Sequence, residues 1–352
     1  MKKKLLSVFC AAIVVGTAQM SNAAISDTCS TELTGKRFTI VVPNAAGGGY
    51  DVYARALAPV IEAHSPLSVR VVNMPSGGGT VAPYYVAESG NDDMMALLQN
   101  STDLVTTELE GSGENGAPRE FLINNFDVVG IIQTEPGAWL GTDAVDLLDP
   151  ARTNVVGSQG TLFDAIFPLS LTAMALGMTA DVVTGYEGSS DQAAAVLRGE
   201  VEVTTFSLTS ALKNAKSGDL KVLMVMSEGQ WPATPEIPYL AGEGSVVWQL
   251  TENLAPEARD ARRAMAVLAA SAGGSVRGIH MSTNVSQERR DCVSEILSEA
   301  LVDPAFIDAA AAQGRDATPI VGDAARALVA KSTASFMGSL DLFDGLVAAV
   351  NE

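Results

Sequence analysis

Hydrophobic positions along this chain switch repeatedly between two spacings. Residues 39–42 form a short β-branched run that Pro43 ends, and Val52, Ala56 and Val60 then recur at helical spacing beside Tyr53, Leu57 and Ile61. Between the two lie three consecutive glycines, which let the backbone turn sharply. The pattern predicts a buried strand, a glycine turn and a helix, with Asp51 at the helix N-cap. Such a junction gathers free backbone N–H groups and the positive end of a helix dipole, which suits an anion.

The same alternation continues. Residues 68–72 read as a strand, 73–80 as a second glycine turn, 81–88 as a helix, and 94–98 as a strand leading into Gln99, Asn100 and Ser101. Residues 110–118 read as a surface loop, 126–132 as a strand, and 134–137 as a crossing into a second unit. The opening pattern then returns as strand 154–156, a polar glycine turn at 157–161 and helix 162–176. Next come strand 181–184, a turn in which Ser190 or Asp191 caps helix 192–198, strand 201–206 ending at Ser207, helix 210–215 and strand 222–226. Three prolines at 232, 235 and 238 mark a return linker, followed by strand 276–281 and helices 287–301 and 323–337. Strands alternating with helices predict an α/β fold with parallel sheets, whose ligands gather at the carboxyl ends of the strands.

The ends of the chain and its charge narrow the function. Three lysines, an apolar run from Leu5 to about Val15 and a small-residue stretch to Ala24 read as a secretory signal peptide over 1–24. Later segments stay below the length of about 18 apolar residues that a span needs, so a soluble protein of the periplasm is expected. The chain has 22 Lys and Arg against 41 Asp and Glu, a net charge of −19, and without the three leading lysines 19 stand against 41, or −22. Nucleic acid is therefore not an expected partner. Cys29 and Cys292 either pair across the chain or stay as two free thiols. With His64 and His280 as the sole imidazoles, no metal cluster and no cofactor is expected.

The order of these motifs resembles the periplasmic solute-binding receptors of the tripartite tricarboxylate transporters, the Bug/TctC-like family. The matching pieces are VVPNAAGGGYD at 41–51, VVNMPSGGGT at 71–80, GSQGT at 157–161 and GYEGSSDQAAAVLRGEVEV at 185–203. PEIPYLAGE from 235 and the DPAF and GR pieces from 303 extend the match over nearly the whole mature chain. The resemblance implies a Venus flytrap of two α/β domains joined by two crossing strands: domain I from 25–133 and 229–352, domain II from 134–228. It implies an extracytoplasmic protein that captures a small organic carboxylate between its lobes and hands it to membrane transporter subunits. The carboxylate is a di- or tricarboxylate, an aromatic acid or an amino acid, and a monomer is expected.

Carried over by position, the expected ligand contacts are Asn44, Ala45, Ala46, Gly47, Gly48 and Gly49, with Asp51 orienting the loop. From the second domain come Ser158, Gln159, Gly160 and Thr161, then Tyr186, Gly188, Ser189, Ser190 and Asp191, with Ser207 at a strand end. Gln99, Asn100 and Ser101 either touch the ligand or form a solvated loop, and Tyr186 either leans over it or is structural. Two departures stand out: serines at 189 and 190 where the family has small apolar residues, and a long segment at 250–278. Two other readings compete. A ligand-sensing module for a membrane signalling protein has the same sequence features, whereas for a secreted hydrolase the chain lacks a G-x-S-x-G elbow, a P-loop and an H-E-x-x-H pair. The chain is therefore read as a binding protein and not an enzyme, with no catalytic and no metal-binding residue.

Overall fold

The computed structural model describes residues 25–106, 122–146, 149, 153–159, 162–186 and 188–337. The expected signal peptide at 1–24, the expected surface loop at 110–118, and the candidate contacts Gly160 and Thr161 lie outside the described residues.

The first half runs α1 (Asp27–Leu33), β1 (Arg37–Val42), α2 (Gly49–His64), β2 (Ser68–Asn73), α3 (Val81–Ala87), β3 (Met95–Asn100), α4 (Asp103–Thr106) and β4 (Phe126–Glu135). Then follow β5 (Gly137–Gly141), β6 (Thr153–Gln159), α5 (Leu162–Leu176), β7 (Thr179–Tyr186), α6 (Ser189–Arg198), β8 (Val203–Ser207), α7 (Leu208–Ala215) and β9 (Lys221–Glu228). The chain ends β10 (Tyr239–Ala241), α8 (Val246–Leu250), α9 (Pro256–Ala272), β11 (Ser275–Ser282), α10 (Gln287–Ala300), α11 (Pro304–Ala312) and α12 (Gly322–Met337).

Two sheets result, ordered β2-β1-β3-β11-β4 and β10-β9-β5-β8-β6-β7. Each is parallel except around one reversed strand: β11 runs antiparallel to β3 and β4, and β5 antiparallel to β8 and β9. The reversal corrects the all-parallel expectation and has a simple cause, since both strands enter their sheets from the other lobe. Phe126–Glu135 and Gly137–Gly141 form one crossing, interrupted by Pro136, which has no N–H to give to a ladder. This is the two-domain architecture of periplasmic binding proteins.

The return crossing differs from the expected one at 229. The proline-rich segment feeds β10, which pairs with β9, and α9 packs on α5. Residues 229–272 thus belong with the second sheet, and the chain goes back at Gly273 and Gly274. Apolar burial explains the difference: Leu240, Ala241, Val247, Ala266 and Ala269 are all fully buried in the core of the second lobe.

The first lobe packs β1, α2 and α10 around Phe38, Ile40, Tyr53, Leu57 and Ile296, all buried. A disulfide joins Cys29 of α1 to Cys292 of α10 at a Cα separation of 5.2 Å, tying the start of the described chain to a late helix. Among the described residues no helix is long and apolar enough to cross a membrane, and no group of three or more His, Cys, Asp or Glu is placed to hold a metal ion.

Candidate functional site

The carboxyl ends of the strands meet at a cavity of about 520 Å³ between the lobes. The first lobe contributes Pro43 to Tyr50, Gly79, Thr80, Gln99, Asn100, Asp103, Ser275 and Arg277. The second contributes Ser158, Pro168, Leu169, Gly188 to Asp191, Thr205 to Ser207 and Ser210. Gly137 and Gly273, from the two crossings, form part of the floor.

Local sequence explains the first wall. Helix α2 starts at Gly49 with Gly48 as N-cap, so Asp51 is not the cap residue but lies in the first turn. From there its carboxylate accepts from Gly47 N–H at 2.8 Å and from Arg55 Nε at 3.0 Å. Arg55 also donates to Asn73, whose amide donates to the Asn44 carbonyl at 3.0 Å. Burial by itself raises the Asp51 carboxyl, but Arg55, Gly47 N–H and Asn73 outweigh it and hold it below the usual range. An ionised Asp51 thus fixes the glycine loop from behind instead of facing the cavity. The second glycine turn closes against the first: Gly79 has φ +94°, and a Cβ there would meet the Pro43 carbonyl oxygen at 2.9 Å.

The opposite wall is the start of α6. Its N-cap is Gly188, with neither Ser190 nor Asp191 capping, because the helix begins three residues earlier than its apolar spacing shows. The start of the helix at Ser189 and Ser190 therefore borders the cavity with its positive end, while the Asp191 and Gln192 N–H groups donate to the Gly188 carbonyl at 3.1 Å.

Of the residues singled out in the sequence, the cavity borders Asn44, Ala45, Ala46, Gly47, Gly48, Gly49, Gln99, Asn100, Ser158, Gly188, Ser189, Ser190, Asp191 and Ser207. Ser101 is buried behind the wall, its hydroxyl against Val276 O and His280. Tyr186, at the end of β7, packs against the apolar cluster around Val196 and Val201. Gln159 is the last residue of β6. Asn100 is committed internally, donating to Asp103 at 2.9 Å and accepting from Val276 N–H at 2.9 Å.

The sequence reading missed the floor, which is ionic. Arg277, 3% exposed, donates through Nη1 to Gln133 at 2.7 Å and to Glu135, and through Nη2 to Ser207 at 2.7 Å. The rings of Tyr50 and Tyr53 each lie 5.4 Å from its guanidinium carbon. Burial lowers the affinity of this guanidinium for its proton, but Glu135 in contact outweighs that, and the group stays charged. Glu135 is likewise raised by burial and, on balance, lowered by Arg277 and by Thr209 N–H, 2.7 Å away. Burial pushes the Tyr50 and Tyr53 phenols up to about 12, so both are neutral.

A second buried arginine, Arg315, donates to Ser210 at 2.7 Å and stands against Gly49. The signal for Arg277 was a charge inside an otherwise apolar run, V-R-G-I-H-M, since arginine is almost never fully buried without a functional or ionic partner.

No family model matches the chain. Protein BugT of Bordetella pertussis is 26% identical over 246 residues, covering 66% of this chain and 72% of BugT. Among solved structures, the periplasmic binding protein BugD has a TM-score of 0.65 at 19% identity, covering 89% of this chain and 98% of BugD. An R. palustris protein solved with adipate has a TM-score of 0.63 at 17% identity, covering 89% and 97%. The chain is thus similar in sequence to a Bug protein and in fold to BugD and its structural relatives, in line with the Bug/TctC-like resemblance read from its motifs.

Proposed function

We propose that the chain is an extracytoplasmic solute-binding protein that traps a small organic carboxylate between its lobes and delivers it to a tripartite tricarboxylate-type transporter in the membrane. It works in the periplasm as a monomer, binding its ligand without transforming it. One observation carries the reading: the inter-lobe cavity joins a glycine loop, the open start of α6 and a buried arginine, all of which favour an anion. The glycine loop Asn44 to Gly49 holds one carboxylate oxygen pair, and Ser158 and the turn Gly188 to Asp191 meet it from the other lobe. Residues 25–135 with 275–337 make one lobe, and 137–272 the other. BugD is a periplasmic binding protein, and the R. palustris relative binds adipate, which supports the reading by analogy of fold.

A thermal-shift screen tests it, with adipate, malate, benzoate and glutamate compared with their amides. A ligand at 100 times its dissociation constant stabilises by about 2.7 kcal/mol, a shift of several degrees for a chain of this size. An acid that shifts the midpoint while its amide does not is the expected result. Equal shifts by acid and amide, or no shift by any acid on protein freed of bound solute by unfolding and refolding, would overturn the assignment.

A further inference from the structure

Arg277 on β11 and Arg315 just beyond α11 come from distant parts of the first lobe, yet both end on the first turn of α7 in the second. Arg277 Nη2 donates to Ser207 Oγ at 2.7 Å, Ser207 donates to Ser210 Oγ at 3.1 Å, and Arg315 Nη1 donates to Ser210 Oγ at 2.7 Å. A continuous chain thus runs guanidinium, serine, serine, guanidinium, with arginines on one lobe and serines on the other. Glu135 reinforces it by accepting from Thr209 N–H at 2.7 Å, a carboxylate at a helix N-terminus.

The chain is also part of the cavity. Arg277, Ser207 and Ser210 border it directly. Arg315 stands one layer back, where a Cβ on cavity-lining Gly49 would lie 3.3 Å from its guanidinium carbon. One face of Arg315 therefore backs the anion-binding loop while its Nη1 holds the other lobe. Both arginines keep a buried Nε with no partner among the described residues. The hydrogen-bonded cluster holds two buried guanidiniums against one buried carboxylate, with the Asp103 carboxylate on the cavity wall. A buried excess of positive charge is unfavourable by itself, and an anion in the adjoining cavity offsets it.

We propose that Arg277 and Arg315 are positioning residues that couple anion capture to lobe closure, through the hydrogen-bonded chain they share with Ser207 and Ser210. The proposal rests on the reading of the protein as a two-lobed receptor and adds the device by which its lobes sense the ligand's charge. Arg315 fits this role most clearly, because it influences binding without lining the cavity.

The test uses the full mature chain with nitroxide labels at Ala63→Cys and Leu197→Cys, both exposed and one on each lobe. Pulsed electron resonance reads the distance between the lobes in buffer alone. Arg315→Met is expected to move the distribution to longer distances, Arg315→Lys to restore most of it, and Ser210→Ala to add nothing in the Arg315→Met background. Arg315→Met is also expected to weaken, about tenfold, whichever of adipate, malate, benzoate or glutamate gives the largest thermal shift. An unchanged distance distribution in Arg315→Met, or effects of Arg315→Met and Ser210→Ala that simply add, would overturn the coupling. If no acid binds the wild-type protein, the receptor reading fails, whereas the distances still decide the link between the lobes.

Discussion

His280 sits fully buried on β11, with Nε2 3.2 Å from Ser101 Oγ and Nδ1 without a partner among the described residues. Burial lowers its pKa from 6.5 to about 4, only partly countered by a hydrogen bond to the Gln99 backbone. The unfolded chain therefore takes up a proton at a higher pH than the folded one. Stability contributed by the neutral ring is complete above pH 6.5 and is lost progressively toward pH 4, by about 3 kcal/mol. Denaturant titrations from pH 7 to 4 are expected to show this slope, and His280→Asn to flatten it; an unchanged slope would place the acid sensitivity elsewhere. The same strand shows what single residues conceal in a sequence. The glycine wall was legible because three consecutive glycines announce a turn, whereas Arg277 was not, because its partners Glu135 and Ser207 are 142 and 70 positions away. Asp51 was legible as a group that orients the loop, but not as a first-turn residue, since one glycine caps as readily as another.

At the level of elements, the spacing of apolar positions found the strands and the longer helices of the first lobe, where amphipathic burial follows local periodicity, but not the short α1, α4 and α11. It failed for β10, α8 and α9, which follow the three prolines read as a return linker. A strand of three residues carries too little pattern to be recognised alone, and only pairing with β9 defines it. The Cys29–Cys292 bridge makes an element-level prediction. It fastens α1, a helix of seven residues, to α10 across 263 positions of chain, well away from the cavity-lining loops. The double replacement Cys29→Ser with Cys292→Ser is expected to cost about 2–4 kcal/mol and lower the melting midpoint by about 5 °C or more. Binding of the screened acid should persist at temperatures where the variant is folded. A loss of affinity at 10 °C would mean that the bridge also shapes the site.

For the whole molecule, the two crossings matter most because they meet. A Cβ on Gly137 would lie 2.4 Å from the Gly273 carbonyl oxygen, and one on Gly273 would meet Met226 Cε at 2.4 Å. The clash at Gly137 cannot be relieved by a rotamer change, because the obstacle there is backbone, whereas at Gly273 it is the end of a flexible methionine side chain. Gly137→Ala is therefore expected to push the crossings apart, lowering stability by about 1–3 kcal/mol and increasing the radius of gyration measured by small-angle scattering. Wild-type scattering and stability in that variant would show that the crossings have room to spare. The place of β11 has a further consequence, for assembly. It fills the gap between β3 and β4 although it is made of residues 275–282, long after both neighbours and after the entire second sheet. Until those eight residues arrive, β3 and β4 each lack a partner edge, and Arg277 is absent from the buried Glu135. The leading third of the chain thus cannot complete a stable domain on its own, and pairing across so large a sequence separation is slow. A growing polypeptide of this design therefore keeps its first sheet open between β3 and β4 until β11 has been made, so that the sheet closes late in synthesis and not as its first strands emerge.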